Sequence, residues 1–126
     1  MLGKFKVWDS DSKVFDHDPA WYCMDGNGDL FEKNSDEPNP PRLKKSFYTT
    51  LNDSDGKEIY EGDEVEFIHR VGDIKSLLVR FNFGSFETWN PKTGDTYYTL
   101  IEAIQINKSC KLTGKNIYQN PELLNG

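Results

Sequence analysis

The sequence predicts a mainly β protein with little helix, its second half a small antiparallel barrel or roll. Three observations carry this. Apolar and polar residues alternate with a period of two along several short runs, the pattern of half-buried strands. Glycine-rich turn signals separate those runs at close intervals. Aromatic residues make up 13% of the chain, which suits a compact β core, and no long amphipathic helical stripe is present.

Lys4-Phe5-Lys6-Val7-Trp8 alternates and reads as a first strand, followed by an Asp9–Ser12 turn and a short strand at Val14-Phe15. The runs Ala20–Met24 and Leu30–Lys33 flank the glycine turn Asp25-Gly26-Asn27-Gly28-Asp29, which predicts a hairpin. Residues 1–33 thus form an N-terminal β-hairpin region. Asn34 to Ser46 holds Pro38, Pro40 and Pro41 close together, which argues against regular structure and predicts a Pro-rich loop or linker over 34–46.

Residues 47–126 are expected to form the second domain. Phe47–Leu51 opens it as a strand. Asp55-Gly56 makes a turn, Ile59 and Tyr60 are a buried pair, and Glu61-Gly62-Asp63 makes a second turn. From there Val65, Phe67 and Val71 alternate with Glu64, Glu66 and Arg70. After a Gly72-Asp73 turn, Leu77, Val79, Phe81 and Phe83 share one face, opposite Leu78, Arg80 and Asn82. Val65, Phe67, Val79, Phe81 and Phe83 are therefore expected to point inward. Phe86–Trp89, Tyr97–Leu100 and Ala103–Ile106 read as further strands, and Pro121 starts a helical turn within Ile117–Leu124.

The chain has 126 residues, a net charge of −6 and a sequence pI near 4.9. An acidic surface repels phosphate, so nucleic acid is not an expected partner. Cys23 and Cys110 stand far apart with no second cysteine near either, which predicts reduced thiols and a cytoplasmic location. Neither a signal peptide nor a membrane span is expected, since no apolar run of sufficient length occurs.

Three blocks carry a family resemblance. They are the opening Lys4–Trp8, the central Gly56-Lys57-Glu58-Ile59-Tyr60-Glu61-Gly62-Asp63, and the tail Asn116-Ile117-Tyr118-Gln119-Asn120-Pro121-Glu122-Leu123-Leu124. In this order and spacing the chain resembles the YopX family of phage and prophage proteins. It departs from the family pattern in Gly114-Lys115-Asn116, one residue longer than usual, in a longer approach over residues 107–113, and in its Pro-rich loop. The resemblance implies a mostly β structure with an SH3-like barrel in its second half, a phage or prophage origin, and homo-oligomers. It implies no established activity and carries over no catalytic residue.

Candidate chemistry is sparse. Asp25, Asn27 and Asp29 sit at alternate positions like the start of a calcium loop, but Leu30 stands where the loop needs glycine and Asp36 where it needs a bidentate Glu. A hairpin turn explains Gly26 and Gly28. His17, between Asp16 and Asp18, and His69 lack the partners of a zinc site. Ser10, Ser12 and Ser54 lie in Asp-rich turns, and Glu58, Glu61 and Asp63 read as solvated charges beside a turn. No metal, cofactor or catalytic residue is expected, and the protein is not expected to be an enzyme. The expected function is that of a phage-encoded accessory protein acting by self-assembly and by contact with a phage or host protein. The alternative is a nucleic-acid-associated small barrel using Lys44, Lys45, Lys108, Lys111 and Lys115 with aromatics such as Trp8, Trp21, Tyr22, Trp89, Tyr97 and Tyr98.

Overall fold

The structure is a computed structural model and describes residues 4–16, 21–68, 72, 74–106 and 110–125. The chain divides into two compact units, Met1–Phe47 and Tyr48–Gly126. It is mainly β and antiparallel, as the alternation predicts. No helix among the described residues is long and apolar enough to cross a membrane.

In the first unit, β1 (Phe5–Asp9) pairs antiparallel with β2 (Val14–Asp16), and on its other side with the start of β5 (Leu43–Asn52). The intervening turn is built by Asp9, whose Oδ1 accepts the N–H of Asp11 at 2.9 Å. β3 (Tyr22–Met24) and β4 (Leu30–Glu32) form the hairpin expected around Asp25–Asp29. Val7, Leu30 and Leu43 are the buried cluster here, with Phe5 and Tyr22 against it.

The Pro-rich stretch differs from expectation in two ways. Strand β5 begins at Leu43, so Leu43–Ser46 is strand, not loop. The remainder is anchored rather than free: Asn39 Oδ1 accepts the Leu30 N–H at 2.9 Å, and Asn39 Nδ2 donates to Asp29 at 2.9 Å. Pro40 is buried. Prolines remove donors, and Asn39 supplies bonds that hold this loop to β4, joined by the Ser35 N–H to the Glu32 carbonyl at 3.1 Å and the Arg42–Glu32 ion pair.

The second unit holds the later part of β5, then β6 (Glu58–Tyr60), β7 (Asp63–Ile68), β8 (Ile74–Asn82), β9 (Ser85–Trp89), β10 (Thr96–Thr99), α1 (Leu100–Ile106), β11 (Lys111–Asn116) and a 3-10 turn at Pro121–Asn125. Five strands form one antiparallel sheet in the order β10-β9-β8-β7-β11. Its core is Ile59, Val65, Phe67, Leu77, Val79, Leu100, Ala103 and Cys110. Phe67 meets Tyr98 edge-on at 5.8 Å.

The family blocks come together here. Asn116 of β11 pairs with Asp63 of β7, and the Ile117 N–H donates to the Gly62 carbonyl at 3.0 Å. Asn116 then organises the tail: its Oδ1 accepts the N–H groups of Tyr118 at 3.0 Å and Gln119 at 2.8 Å. Asp63 Oδ2 accepts the Tyr60 N–H at 2.7 Å. Asp63 of the central block and Asn116 of the tail therefore act as turn acceptors.

Two strand assignments need correction. Ala103–Ile106 is not a strand but the end of α1. A capping box starts that helix: Thr99 Oγ1 accepts the Glu102 N–H at 3.2 Å, and Glu102 Oε1 accepts the Thr99 N–H at 3.0 Å. The reciprocal bonds satisfy otherwise orphaned donors and override the local β propensity. The approach to the tail, in turn, contains β11, whose exposed Lys111, Thr113 and Lys115 hide it from apolar pattern recognition.

The inward set also needs correction. Val65, Phe67 and Val79 are buried, but Phe81 is 54% and Phe83 97% exposed. The register is as expected, with Phe81 on the face of Leu77 and Val79. The strand simply outruns its core: burial ends at Val79, and β8 continues into a projecting hairpin.

Candidate functional site at the tip of the β8–β9 hairpin

β8 and β9 are joined by Phe83 and Gly84 alone, since Asn82 pairs directly with Ser85. Both turn residues lie at positive φ, 49° and 84°, the signature of a type I′ turn matched to strand twist. Glycine adopts this conformation without penalty. Phenylalanine does not, because its Cβ crowds the following carbonyl. Phe83 therefore carries a backbone cost while exposing its whole ring. Phe81 and Phe86 stand behind it as an edge-to-face pair at 5.1 Å, and Phe86 leans on the core.

The opposite face of the same strands is a polar clamp. Glu87 is buried, and its Oε2 accepts from Arg80 Nε at 2.8 Å, Thr96 Oγ1 at 2.7 Å and Asn82 Nδ2 at 3.4 Å. Burial works against ionisation of Glu87, but the donors from Thr96, Arg80 and Asn82 outweigh it and hold the carboxyl below its ordinary range. The Arg80 guanidinium also lies over the Trp89 ring, 4.3 Å from its centre. Bonds from three strands thus stiffen the stem that presents the tip. The clamp needs no ligand to explain it, and sequence reading passed over Glu87 because nothing local marks its partners.

A second carboxylate escaped notice for the same reason. Asp53 accepts the N–H groups of Asp55 and Lys57 with Oδ1, both at 2.9 Å, and that of Leu112 with Oδ2 at 3.0 Å. Burial pushes its pKa up, and the backbone donors of Leu112, Lys57 and Asp55 pull it down further than that, to a net lowering. The local signal was an Asp two residues before Asp-Gly, a turn-forming arrangement; the Leu112 contact lies 59 positions away.

The residues weighed for chemistry are dispersed. Asp25 Oδ1 accepts the N–H groups of Asn27 and Asp29, so this carboxylate closes a hairpin turn. Asp36 is exposed in the following loop. His17 and His69 lie outside the described residues, as does Lys108. Among the described residues no group of three or more His, Cys, Asp or Glu side chains is placed to hold a metal ion. Glu58 accepts the Tyr60 hydroxyl at 3.2 Å. Burial chiefly, then the Glu58 charge, push the Tyr60 hydroxyl up to about 12. Burial likewise pushes the Cys110 thiol up to about 11, with Asp53 adding to it.

Of the aromatics considered for contacts, Trp8 is buried, Trp89 lies beneath Arg80, and Tyr97 and Tyr98 pack on the core; Trp21 alone among these five is largely exposed. Lys44, Lys111 and Lys115 are exposed, and Lys45 Nζ donates to the Gly28 carbonyl.

Comparison with known proteins identifies relatives by sequence and by fold. A family model described as "YopX protein" matches residues 4–125, nearly the whole chain. A crystal structure of protein EF1440 from Enterococcus faecalis is similar in fold, with a TM-score of 0.61, 21% identity and 96% of each chain covered. No curated protein matches this chain.

Proposed function

Because this chain belongs to the YopX family, we propose that it serves a phage or prophage as a non-enzymatic accessory protein, assembling with copies of itself through the β8–β9 tip. The observation that carries this reading is Phe83, 97% exposed at a φ of 49°. Strain of this kind costs about 1–3 kcal/mol and gathers at functional positions. An Asn in its place would make the same turn with less strain and no exposed ring.

The edges of the five-stranded sheet favour the tip over strand-to-strand assembly through that sheet. β11 presents exposed Lys111 and Lys115, and its register is interrupted between Leu112 and Asn116. β10 is four residues long, with a register shift between Thr96 and Tyr98. Lysines, bulges and shortness are the usual means of blunting an edge. The net charge of −6 weighs against nucleic acid as the partner.

Light scattering on the purified chain and on Phe83→Asn tests the reading. The expected result is a mass above the 14.5 kDa monomer for the natural chain and the monomer mass for the variant. A monomeric natural chain, or an unchanged mass for the variant, sinks it.

A further inference from the structure

The turn between β3 and β4 carries Asn27-Gly28, a pair of residues that modifies itself in water. Glycine has no side chain to shield its backbone nitrogen, so that nitrogen reaches the amide carbon of the asparagine before it. The Gly28 nitrogen attacks Asn27 Cγ. A C–N bond forms, the Cγ–Nδ2 bond breaks, and the proton shed by Gly28 ends on the ammonia that leaves. Water then opens the succinimide ring at either carbonyl, giving aspartate or, with the main chain rerouted through Cγ, isoaspartate. Water is the only co-reactant, and nothing is oxidised or reduced. Asn27 is exposed, so water reaches it.

The fold opposes this reaction at the attacking atom. The Gly28 N–H donates to the Asp25 carbonyl at 3.0 Å. Asp25 Oδ1 pins the chain on both sides of it, accepting the N–H of Asn27 at 2.9 Å and of Asp29 at 3.0 Å. Lys45 Nζ, from β5, donates to the Gly28 carbonyl. The Asp25 N–H donates to the Asp29 carbonyl at 3.0 Å, which closes the turn with Gly28 at a φ of 84°. Attack requires the Gly28 nitrogen to leave its acceptor and the Asn27 backbone to rotate until that nitrogen faces Cγ. Both movements break bonds of this set.

We propose that Asn27-Gly28 is a latent site of self-modification, which the folded β3–β4 turn keeps shut with Asp25 as its latch. Opening of the hairpin exposes the Gly28 nitrogen and starts the reaction. The product does not revert. Isoaspartate lengthens the main chain inside a turn whose following residues, Asp29 and Leu30, bind Asn39, and Leu30 belongs to the buried cluster of the first unit. The modification therefore records, as a covalent mark, that this hairpin has opened.

The test incubates the full natural chain and Asp25→Ala at mildly alkaline pH, both folded and in guanidinium chloride. Trypsin releases Val14–Lys33 as one peptide, in which Asn27 is the only amide side chain. Mass spectrometry of that peptide reads the mass gained when amide becomes acid. Isomerisation at Asp25-Gly26 changes no mass and does not enter the reading. In denaturant the two chains are expected to react at one common rate. The folded natural chain is expected to react at least about tenfold more slowly than in denaturant, because opening breaks several hydrogen bonds. Folded Asp25→Ala is expected to regain most of that difference. Amide hydrogen exchange of Gly28 in the natural chain reads the opening directly, and protection of that N–H is expected. A natural chain that reacts as fast folded as unfolded, or an unprotected Gly28 N–H, overturns the proposal; these two readings decide it should Asp25→Ala prove unfolded by circular dichroism. A folded Asp25→Ala as slow as the natural chain also overturns it, since Asp25 is then not the latch.

Discussion

A β-carbon added to Gly62 would lie 2.8 Å from Cε2 of Tyr118, closer than non-bonded carbons approach. The same added atom would meet Ile117 Cγ1 at 3.0 Å, and Gly62 sits at a φ of 93°. Gly62 belongs to the central block of the sequence and Tyr118 to its tail. Their contact explains why a glycine and an Ile-Tyr pair more than fifty positions apart form one structural unit: the tail lies directly on the backbone of the turn that starts β7.

Gly62→Ala is accordingly expected to destabilise the protein by about 3 kcal/mol, through crowding and unfavourable φ together. Urea denaturation measures it. Tyr118→Ala in the Gly62→Ala background should recover the crowding that Tyr118 contributes and leave that of Ile117 together with the conformational part. Strictly additive losses in that double-mutant cycle would show that the two residues do not meet.

Asp53→Ala is expected to cost about 2–3 kcal/mol, since it leaves the N–H groups of Asp55, Lys57 and Leu112 without their acceptor. Asp55→Ala, at the exposed neighbouring turn position, should change stability by less than about 0.5 kcal/mol. Thermal melts of the pair provide the comparison. Equal effects would mean that Asp53 is not the staple.

Core and tip should separate cleanly along one strand. Leu77→Ala, at a position 2% exposed, is expected to lose about 3 kcal/mol. Phe81→Ala should lose less than about 1 kcal/mol, and Phe83→Asn should be neutral or slightly stabilising. These values are read by denaturant unfolding at protein concentrations low enough to keep the chain monomeric. A large loss at Phe81 would place it in the core after all.

Stability should fall at both ends of the pH scale. Cys110, ordinarily at 9.0, is pushed up to about 11, and Tyr60, ordinarily at 10.0, to about 12. Between the ordinary and raised values the folded chain keeps protons that the unfolded chain has released, so stability declines as pH rises from about 9 to 12. Asp53 and Glu87 are lowered. Their contribution is present above the ordinary carboxylate range, near pH 4, and is lost as pH falls through the lowered values. Cys110→Ser, whose hydroxyl does not titrate in this range, should flatten part of the alkaline decline. An alkaline limb unchanged in that variant would rule out Cys110 as a contributor.

Local chemistry by itself determined much of this protein. Period-two alternation sets which side of β7 and β8 faces the core, because strand side chains alternate whatever surrounds them. Asp-Gly and Glu-Gly-Asp turns, the Asp9 turn and the Pro121 helical turn depend on near neighbours and were equally legible. The Thr99–Glu102 box is local too, and it starts a helix where the sequence reading expects a strand at Ala103–Ile106. Tertiary structure alone decided the rest. Where the core stops along β8 depends on how far neighbouring elements extend, so no alternation could tell Val79 from Phe81. The partners of Asp53 and Glu87 are brought within hydrogen-bonding range only when separate strands assemble. Even the tip follows this rule: Phe83 reads locally as the last residue of an inward apolar face, and becomes an exposed aromatic because no described element of its unit folds over it.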